Sequence, residues 1–129
     1  MSDATTGRLI RIRAGDVEAL ADLDTSQTAD AVWEALPFDV PANTWGDEIY
    51  FSIPVGMEED DAQPTVELGD LGYWPPGTAF CIFFGKTPMS GPDDIRPTSP
   101  VNVFGNVRGD STVFRSVRPG TPVSVERAS

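Results

Sequence analysis

The sequence predicts a single, mainly β domain that folds into a small closed or nearly closed barrel. Its 129 residues suffice for one domain with its own core. Short stretches of alternating apolar and polar residues are separated by turns rich in glycine and proline, and the chain contains 12 of each. Only one segment has a clear helical period. Many short strands with one or two helices are typical of a small barrel.

The N-terminal third is predicted to form a hairpin and a helix. The hairpin pairs residues 8–13 with residues 17–24 across a tight turn. The helix begins with a cap at residues 25–26 and ends at about Leu36, because Pro37 cannot continue it. Apolar residues recur every three or four positions and form one face of the helix, namely Ala29, Val32, Trp33 and Leu36.

The clearest strand pattern runs from Trp45 to Val55. One face of this strand is predicted to be apolar and to contain Trp45, Ile49, Phe51, Ile53 and Val55. Glu48, Tyr50 and Ser52 fall on the other face. The strand is therefore expected to be half-buried, with Glu48 and Tyr50 pointing away from the barrel interior.

The remainder of the chain is predicted to alternate strands with loops. Further strands are expected at residues 65–68, 79–84, 101–108 and 121–127, and a helical turn or short helix at 110–117. Residues 69–77 and 85–100 are predicted to be a turn-rich corner and a long loop. The carboxylates of residues 58–61 lack the regular ligand spacing of a calcium loop, so a solvated surface loop is expected there.

Composition excludes several classes of chemistry. The chain has no histidine, which removes Ser-His-Asp triads, Cys-His dyads and histidine metal sites. Its one cysteine cannot form an intrachain disulfide or a thiolate zinc site. Twenty acidic residues against 9 basic ones give a net charge of -11, which disfavours binding to nucleic acids or anionic membranes. No metal site and no cofactor is predicted.

The sequence also gives an expectation about compartment. Residues 1–6 are short and polar, are expected to be flexible, and are not followed by the apolar stretch of a signal peptide. The longest apolar run, residues 79–84, is too short to span a bilayer. A cytoplasmic protein is expected, with one domain over residues 1–129.

Four segments, taken in order, resemble a known family. They are NTWGDEIYF at 43–51, GDLGYWPPG at 69–77, FFGKTPMS at 83–90 and VNVFG at 101–105. Together they resemble the small cyclophilin-like family of bacterial and archaeal proteins of undetermined function, over about residues 8–127. This resemblance implies a cyclophilin-type closed barrel of about eight strands, with helices capping its ends.

The resemblance to true cyclophilins does not extend to their catalytic residues. Residues 28–33 look like the first helix of those enzymes, and residues 103–117 look like their late strand and second helix. Cyclophilins carry a catalytic arginine on the strand after the first helix, whereas the corresponding strand here has Glu48 and no arginine. Their active-site histidine has no counterpart. Cyclophilin-type prolyl isomerase activity is therefore expected to be absent or very weak.

A ligand site is predicted on the outer face of the barrel, where the resemblance places the substrate groove. Glu48 is expected to be an acid or a hydrogen-bond acceptor. Tyr50 and Tyr73 are expected to donate hydrogen bonds, Trp74 to stack, and Lys86 to hold an anionic end. The full predicted set is Glu48, Tyr50, Tyr73, Trp74, Lys86, Thr87 and Met89.

Structural explanations compete with these functional ones. Cys81 is expected to be an inert core residue, because it lies in an aromatic run without a histidine partner. Tyr73 and Trp74 would equally suit a rigid turn packed on prolines. The aromatic mass around residues 80–84 is expected mainly to fill the barrel.

Three functions remain open at this point. The first is a module that binds a small molecule or peptide, and a homodimer is also left open. The second is an enzyme acting on a small amide or related metabolite with Glu48 and Tyr50 as an acid-base pair. The third is weak prolyl isomerase activity. A buried Glu48 with a raised pKa in a cleft would favour the enzyme, whereas an apolar groove without a perturbed titratable group would favour simple binding.

Overall fold

The computed structural model describes residues 8–128, which form nine strands, one α-helix and two short 3₁₀ helices. The strands are β1 (Leu9–Ala14), β2 (Val17–Leu23), β3 (Phe38–Pro41), β4 (Asn43–Thr44), β5 (Glu48–Ser52), β6 (Asp70–Trp74), β7 (Ala79–Phe83), β8 (Asn102–Val107) and β9 (Pro122–Arg127). The helix α1 spans Gln27–Ala35, and the 3₁₀ helices span Pro75–Gly77 and Ser111–Ser116. Residues 1–6, which were expected to be flexible, lie outside the described residues. No helix within residues 8–128 is long and apolar enough to cross a membrane.

All nine strands belong to one antiparallel sheet, in the order β3-β9-β1-β2-β8-β6-β7-β5-β4. β3 and β4 stand at opposite ends of this order, yet only Ala42 separates them in the chain. The two edges of the sheet must therefore meet, and the sheet curls into a nearly closed barrel. The predicted mainly β barrel is confirmed, with nine strands where about eight were expected.

The predicted N-terminal hairpin and helix are confirmed as β1, β2 and α1. The hydroxyl of Ser26 caps the helix, since its oxygen accepts a hydrogen bond from the Ala29 N–H at 3.1 Å. The apolar face of α1 packs on the barrel through Ala29 and Val32, which are fully buried. The guanidinium of Arg127 lies over the Trp33 ring at 4.6 Å and ties the helix to the end of β9.

The barrel interior is filled by apolar side chains. Phe80 lies at its centre, stacked on Phe51 at 5.0 Å and edge-on to Phe104 at 5.2 Å. Other fully buried members of this core are Ile10, Ile12, Leu23, Ile49, Leu71, Ile82, Val123 and Val125.

A second apolar cluster lies on the outer face of the same sheet. Its buried members are Val66, Ala79, Cys81, Phe83 and Val101, and Tyr50, Trp74, Ile95 and Val103 pack against them. Residues 84–101 turn back over this face, and a bridge between Val66 and Ile95 holds them there. Because β7 lies between the two clusters, it is buried on both faces, as its continuous apolar run predicts.

The predicted strand from Trp45 to Val55 is broken in the structure. Gly46 adopts a left-handed backbone conformation with φ +62, and the chain bends there between β4 and β5. The bend brings Trp45 to the outer face, beside Glu48, instead of to the predicted inner face. The two-residue period holds only within β5 and its continuation to Val55.

Two segments that contain glycine or proline form strands that the sequence did not predict. Residues 69–77 were expected to be turn-rich but contain β6, whereas the strand expected at 65–68 is reduced to the Val66–Ile95 bridge. Within β6, position 72 favours glycine because a Cβ there would come within 2.8 Å of the Val101 side chain. β3, at one end of the strand order, was not predicted because Pro37 and Pro41 weaken its strand signal.

Candidate functional site

A pocket of about 160 Å³ opens on the outer face of the barrel, between β5, β6 and β7 and the chain that returns over them. It is lined by Trp45, Glu48, Tyr50, Trp74, Cys81, Pro97, Thr98 and Val101. An apolar cavity of about 150 Å³ holds one benzene-sized ring, so this pocket has room for a single ring or for one side chain of a peptide. Its lining is mainly apolar and aromatic, with one carboxyl group.

Strand alternation and register bring the strand residues of the pocket together. Ile49 and Phe51 point into the barrel, so Glu48 and Tyr50 point outward, as predicted. Tyr50 lies directly opposite Cys81 in the antiparallel pair of β5 and β7. Glu48 and Cys81 are therefore diagonal neighbours on the outer face.

Glu48 is the chemically distinctive group of the pocket. Its side chain is only 5% exposed. Burial raises the pKa of its carboxyl to about 7, and a hydrogen bond from the Cys81 thiol offsets a part of that rise. None of the ion pairs among residues 8–128 includes Glu48. A nearly buried carboxyl without a cationic partner is unusual, because ionised groups inside proteins are normally paired.

Cys81 lies at the floor of the same pocket and is 2% exposed. Burial raises the pKa of its thiol well above the usual value, and the neighbouring Glu48 raises it further. The thiol is therefore protonated near neutral pH. The structure confirms that Cys81 is buried, although it borders a pocket instead of lying only in the core.

Trp74 forms a fixed aromatic wall. Its indole N–H donates a hydrogen bond to the Ser99 hydroxyl at 2.6 Å, which joins the end of β6 to the returning chain. Gly77 lies against the indole ring, and a Cβ at that position would come within 2.7 Å of the ring. The ring is therefore held by close packing on one side and by a hydrogen bond at its edge.

The structure brings three of the predicted site residues together, namely Glu48, Tyr50 and Trp74. It places Tyr73 in the barrel interior, fully buried. The Tyr73 hydroxyl donates to the Val55 carbonyl at 2.5 Å and accepts from the Met57 N–H at 3.1 Å. Tyr73 and Trp74 are consecutive in one strand, so they must face opposite sides of the sheet, and the expected donor role of Tyr73 is corrected to a structural one.

Lys86, Thr87 and Met89 also lie outside this pocket. The Lys86 ammonium donates to the carbonyls of Gly91 and Pro92, both at 2.6 Å. The Thr87 hydroxyl donates to the Arg96 carbonyl, and Met89 is 52% exposed. Lys86 and Thr87 thus fix the shape of the returning loop, and the expected contact of Lys86 with an anionic ligand does not arise in this pocket.

The sequence did not identify Trp45, Cys81, Pro97, Thr98 and Val101 as pocket residues. Gly46 could have indicated that Trp45 leaves the predicted inner face, because a glycine within an alternating pattern often marks a bend. Cys81 would follow from the register of β5 against β7. No local pattern points to the three residues of the returning chain, because their position depends on contacts far apart in sequence.

The acidic loop at residues 58–61 does not form a cation site in the structure. Glu58, Glu59, Asp60 and Asp61 are all exposed to solvent. The Asp60 N–H and the Glu58 carbonyl both bond to the side chain of Asn102. Within residues 8–128, no cluster of three or more acidic or cysteine side chains is placed to hold a metal ion.

The curled sheet, its helical cap and the groove on its outer face define a cyclophilin-like domain. The sequence model of the family described as cyclophilin-like matches residues 8–126. The chain therefore belongs to the cyclophilin-like family, as its four motif segments suggested.

The solved structures that resemble this chain include the following two. The hypothetical protein AF2241 from Archaeoglobus fulgidus is 42% identical, with a TM-score of 0.80, and the match covers 99% of this chain and 100% of that one. McbB, solved in complex with tryptophan, is 16% identical with a TM-score of 0.70. That match covers 93% of this chain but 45% of McbB, and it shows a shared fold. No curated protein matches the chain at a significant level.

Proposed function

We propose that this domain binds a small molecule, or a single side chain of a peptide, in the pocket around Glu48. The observation that carries this proposal is a buried carboxyl without an ion-pair partner on the wall of a ring-sized aromatic pocket. Ligand pockets commonly combine an apolar lining with a few convergent polar groups. Burying an unpaired carboxyl lowers the stability of the fold, so a sheet face with only a structural role has no need of one.

The pocket lacks the groups that cyclophilins use for prolyl isomerisation. The chain has no histidine, and no arginine lines the pocket. A prolyl amide bound there would meet no cationic donor to polarise it. In a protease-coupled assay on a proline peptide, we expect isomerisation at the uncatalysed rate, and turnover at a cyclophilin-like rate would contradict this part of the proposal.

Intrinsic fluorescence can test binding, because Trp45 and Trp74 both line the pocket. A panel of single-ring compounds is titrated, and melting temperature is measured in parallel, since a ligand of the native state raises it. We expect some ring compounds to quench fluorescence and raise the melting temperature. Trp74→Ala should remove both effects, whereas the control Trp33→Ala, which changes a tryptophan on α1, should leave the melting shift intact.

If no ring-sized compound binds, or if Trp74→Ala binds as well as the unaltered protein does, the pocket is not a ligand site. Circular dichroism of both tryptophan variants shows whether they are folded before the titrations are compared.

A second candidate function, an enzyme acting on a small amide or related metabolite, is favoured by the pKa of Glu48. At a pKa of about 7 the carboxyl exists as acid and base in comparable amounts near neutral pH, which suits proton transfer. The Tyr50 side chain lines the same pocket. Small amides would be incubated with the protein and their hydrolysis followed by mass spectrometry.

For an enzyme, Glu48→Gln should abolish turnover and Tyr50→Phe should reduce it. The rate should also change with pH near 7. Binding without turnover at every pH tested would contradict the enzyme function and would support binding alone.

A further inference from the structure

Granting the proposed function, we infer that the ligand is a compact organic cation: a single apolar or aromatic ring that carries a positively charged nitrogen next to Glu48. The inference rests on three independent features of the pocket, namely an uncompensated acidic group, the kind of side chain that surrounds it, and the charge of the whole domain.

The first feature is the missing counter-charge. The titratable residues lining the pocket are Glu48, Tyr50 and Cys81, and none of the pocket residues is basic. Three basic residues whose neighbours in sequence or in contact adjoin the pocket are engaged elsewhere: the Lys86 ammonium donates to the carbonyls of Gly91 and Pro92. Arg96, next to Pro97, pairs with Asp94 at 2.7 Å, and Arg115 pairs with Asp47 at 3.4 Å. A cationic ligand would supply the ion-pair partner that Glu48 lacks in the pocket.

The second feature is the aromatic wall. Trp45, Tyr50 and Trp74 line the same pocket as the carboxyl of Glu48. The faces of aromatic rings carry partial negative charge and attract cations, and cages of such rings are the usual way to recognise quaternary ammonium groups. The same faces would repel an anionic ligand. The pocket thus offers a positive group both a full negative charge and a polarisable lining.

The third feature is the long-range field. A net charge of -11 on 129 residues attracts cations to the surface and repels anions. This field favours the same ligand charge as the pocket does. The volume of about 160 Å³ then limits the ligand to one ring with a small charged head.

The test uses three probes that share a single benzene ring and differ in charge: benzyltrimethylammonium, benzyl alcohol and benzoate. Calorimetric titration at low salt should show that the permanent cation binds more tightly than the neutral ring and that benzoate does not bind. Because ionised Glu48 attracts the cation and the protonated acid does not, affinity should increase by up to about 30-fold between pH 5.5 and pH 8.5, given a free-state pKa of about 7. Benzyl alcohol should show no such increase.

Two matched variants separate the pocket from the overall charge. Glu48→Gln should remove the pH dependence and weaken cation binding to its low-pH value, and circular dichroism shows whether this variant is folded. Glu59→Gln removes the same charge from the exposed acidic loop, and it should behave like the unaltered protein.

The outcomes distinguish this inference from the proposed function. If benzyl alcohol or benzoate binds as tightly as the cation, or if Glu48→Gln leaves cation binding unchanged, the cation inference is wrong although the pocket still binds ligands. If none of the probes binds and no compound of the wider ring panel does, the proposed function fails, and the inference fails with it.

Discussion

The two faces of β5 and β7 differ in how they treat buried polar groups. On the inner face, Phe51 and Phe80 stack at 5.0 Å, and the buried hydroxyl of Tyr73 both donates and accepts a hydrogen bond. On the outer face, the same two strands bury Glu48 without an ion-pair partner beside a protonated Cys81 thiol. One face satisfies every requirement of a stable core, while the other retains a destabilising group, as binding and catalytic sites commonly do.

The two faces also differ in what covers them. Neighbouring strands of the barrel enclose the inner face, whereas the outer face is covered by a loop. That loop is held by the backbone bridge between Val66 and Ile95, by the hydrogen bond from Trp74 to Ser99, and by the packing of Ile95 and Val101 in the outer apolar cluster. The cover of the outer face therefore depends on contacts between residues far apart in sequence, whereas the inner face is enclosed by paired strands.

The largest expected effect comes from the inner face. Phe80→Ala removes a ring that contacts Phe38, Phe51 and Phe104, and it should lower the free energy of unfolding by about 3–5 kcal/mol. Trp74→Ala, a comparable truncation of a partly exposed ring on the outer face, should cost clearly less while removing ligand binding. Denaturant unfolding of both variants tests this prediction. Equal losses of unfolding free energy would contradict the view that the inner face stabilises the fold more than the outer face does.

The next effect concerns Glu48 and depends on pH. Its folded-state pKa of about 7 lies above the ordinary value of 4.5, so the folded protein holds this proton more tightly than the unfolded chain does. The contribution of Glu48 to the free energy of unfolding is therefore greatest below pH 4.5, and it is lost as pH rises from about 4.5 to about 7. Glu48→Gln, which cannot ionise, should be more stable than the unaltered protein by up to about 3 kcal/mol at pH 8 and equal to it below pH 4.5.

Unfolding midpoints of Glu48→Gln and the unaltered protein across this pH range give the difference directly, so other titrating groups cancel. Glu59→Gln in the exposed loop should show no such pH-dependent gain. A Glu48→Gln variant that is less stable than the unaltered protein at pH 8 would mean that the carboxyl stabilises the fold.

A smaller effect is expected at Tyr73. Tyr73→Phe keeps the ring in the core but leaves the Val55 carbonyl and the Met57 N–H without their side-chain partner. The loss should be about 1–3 kcal/mol, with ligand binding unchanged. Tyr50→Phe on the outer face should change stability less. If Tyr73→Phe altered ligand affinity more than Tyr50→Phe did, the assignment of the two tyrosines to opposite faces would be contradicted.

The sequence predicted the elements whose signal is local. Alternation in β5 placed Glu48 outward, the Ser26 cap located the helix, and the continuous apolar run of residues 79–84 indicated a strand buried on both faces. Predictions failed where glycine and proline were taken as turn signals. Gly72 is a strand residue, and the reason for a glycine there is the close approach of Val101, a long-range contact that the local pattern does not contain.

The candidate site was predicted only in part for the same reason. Glu48, Tyr50 and Trp74 were identified correctly as neighbours because strand alternation and the motif segments fix them. Tyr73 was assigned to the pocket although it adjoins Trp74 in one strand, and alternation rules out both side chains facing one side. The residues of the returning chain, Pro97 and Thr98, could not be predicted, since the path of a long loop is set by the surface it covers.

The smallest effect, and the most direct test of the outer face, concerns Cys81. Cys81→Ala removes few atoms and should lower stability by only about 1 kcal/mol. In the unaltered protein the thiol should react slowly with a small thiol reagent at pH 8, because it is 2% exposed and because burial and Glu48 both raise its pKa. Glu48→Gln should speed the labelling, since it removes the negative neighbour that disfavours the thiolate. Fast labelling that slows in Glu48→Gln would instead show that the carboxyl acts as a base toward the thiol, and the outer face would then carry a reactive pair rather than an acid poised for a ligand.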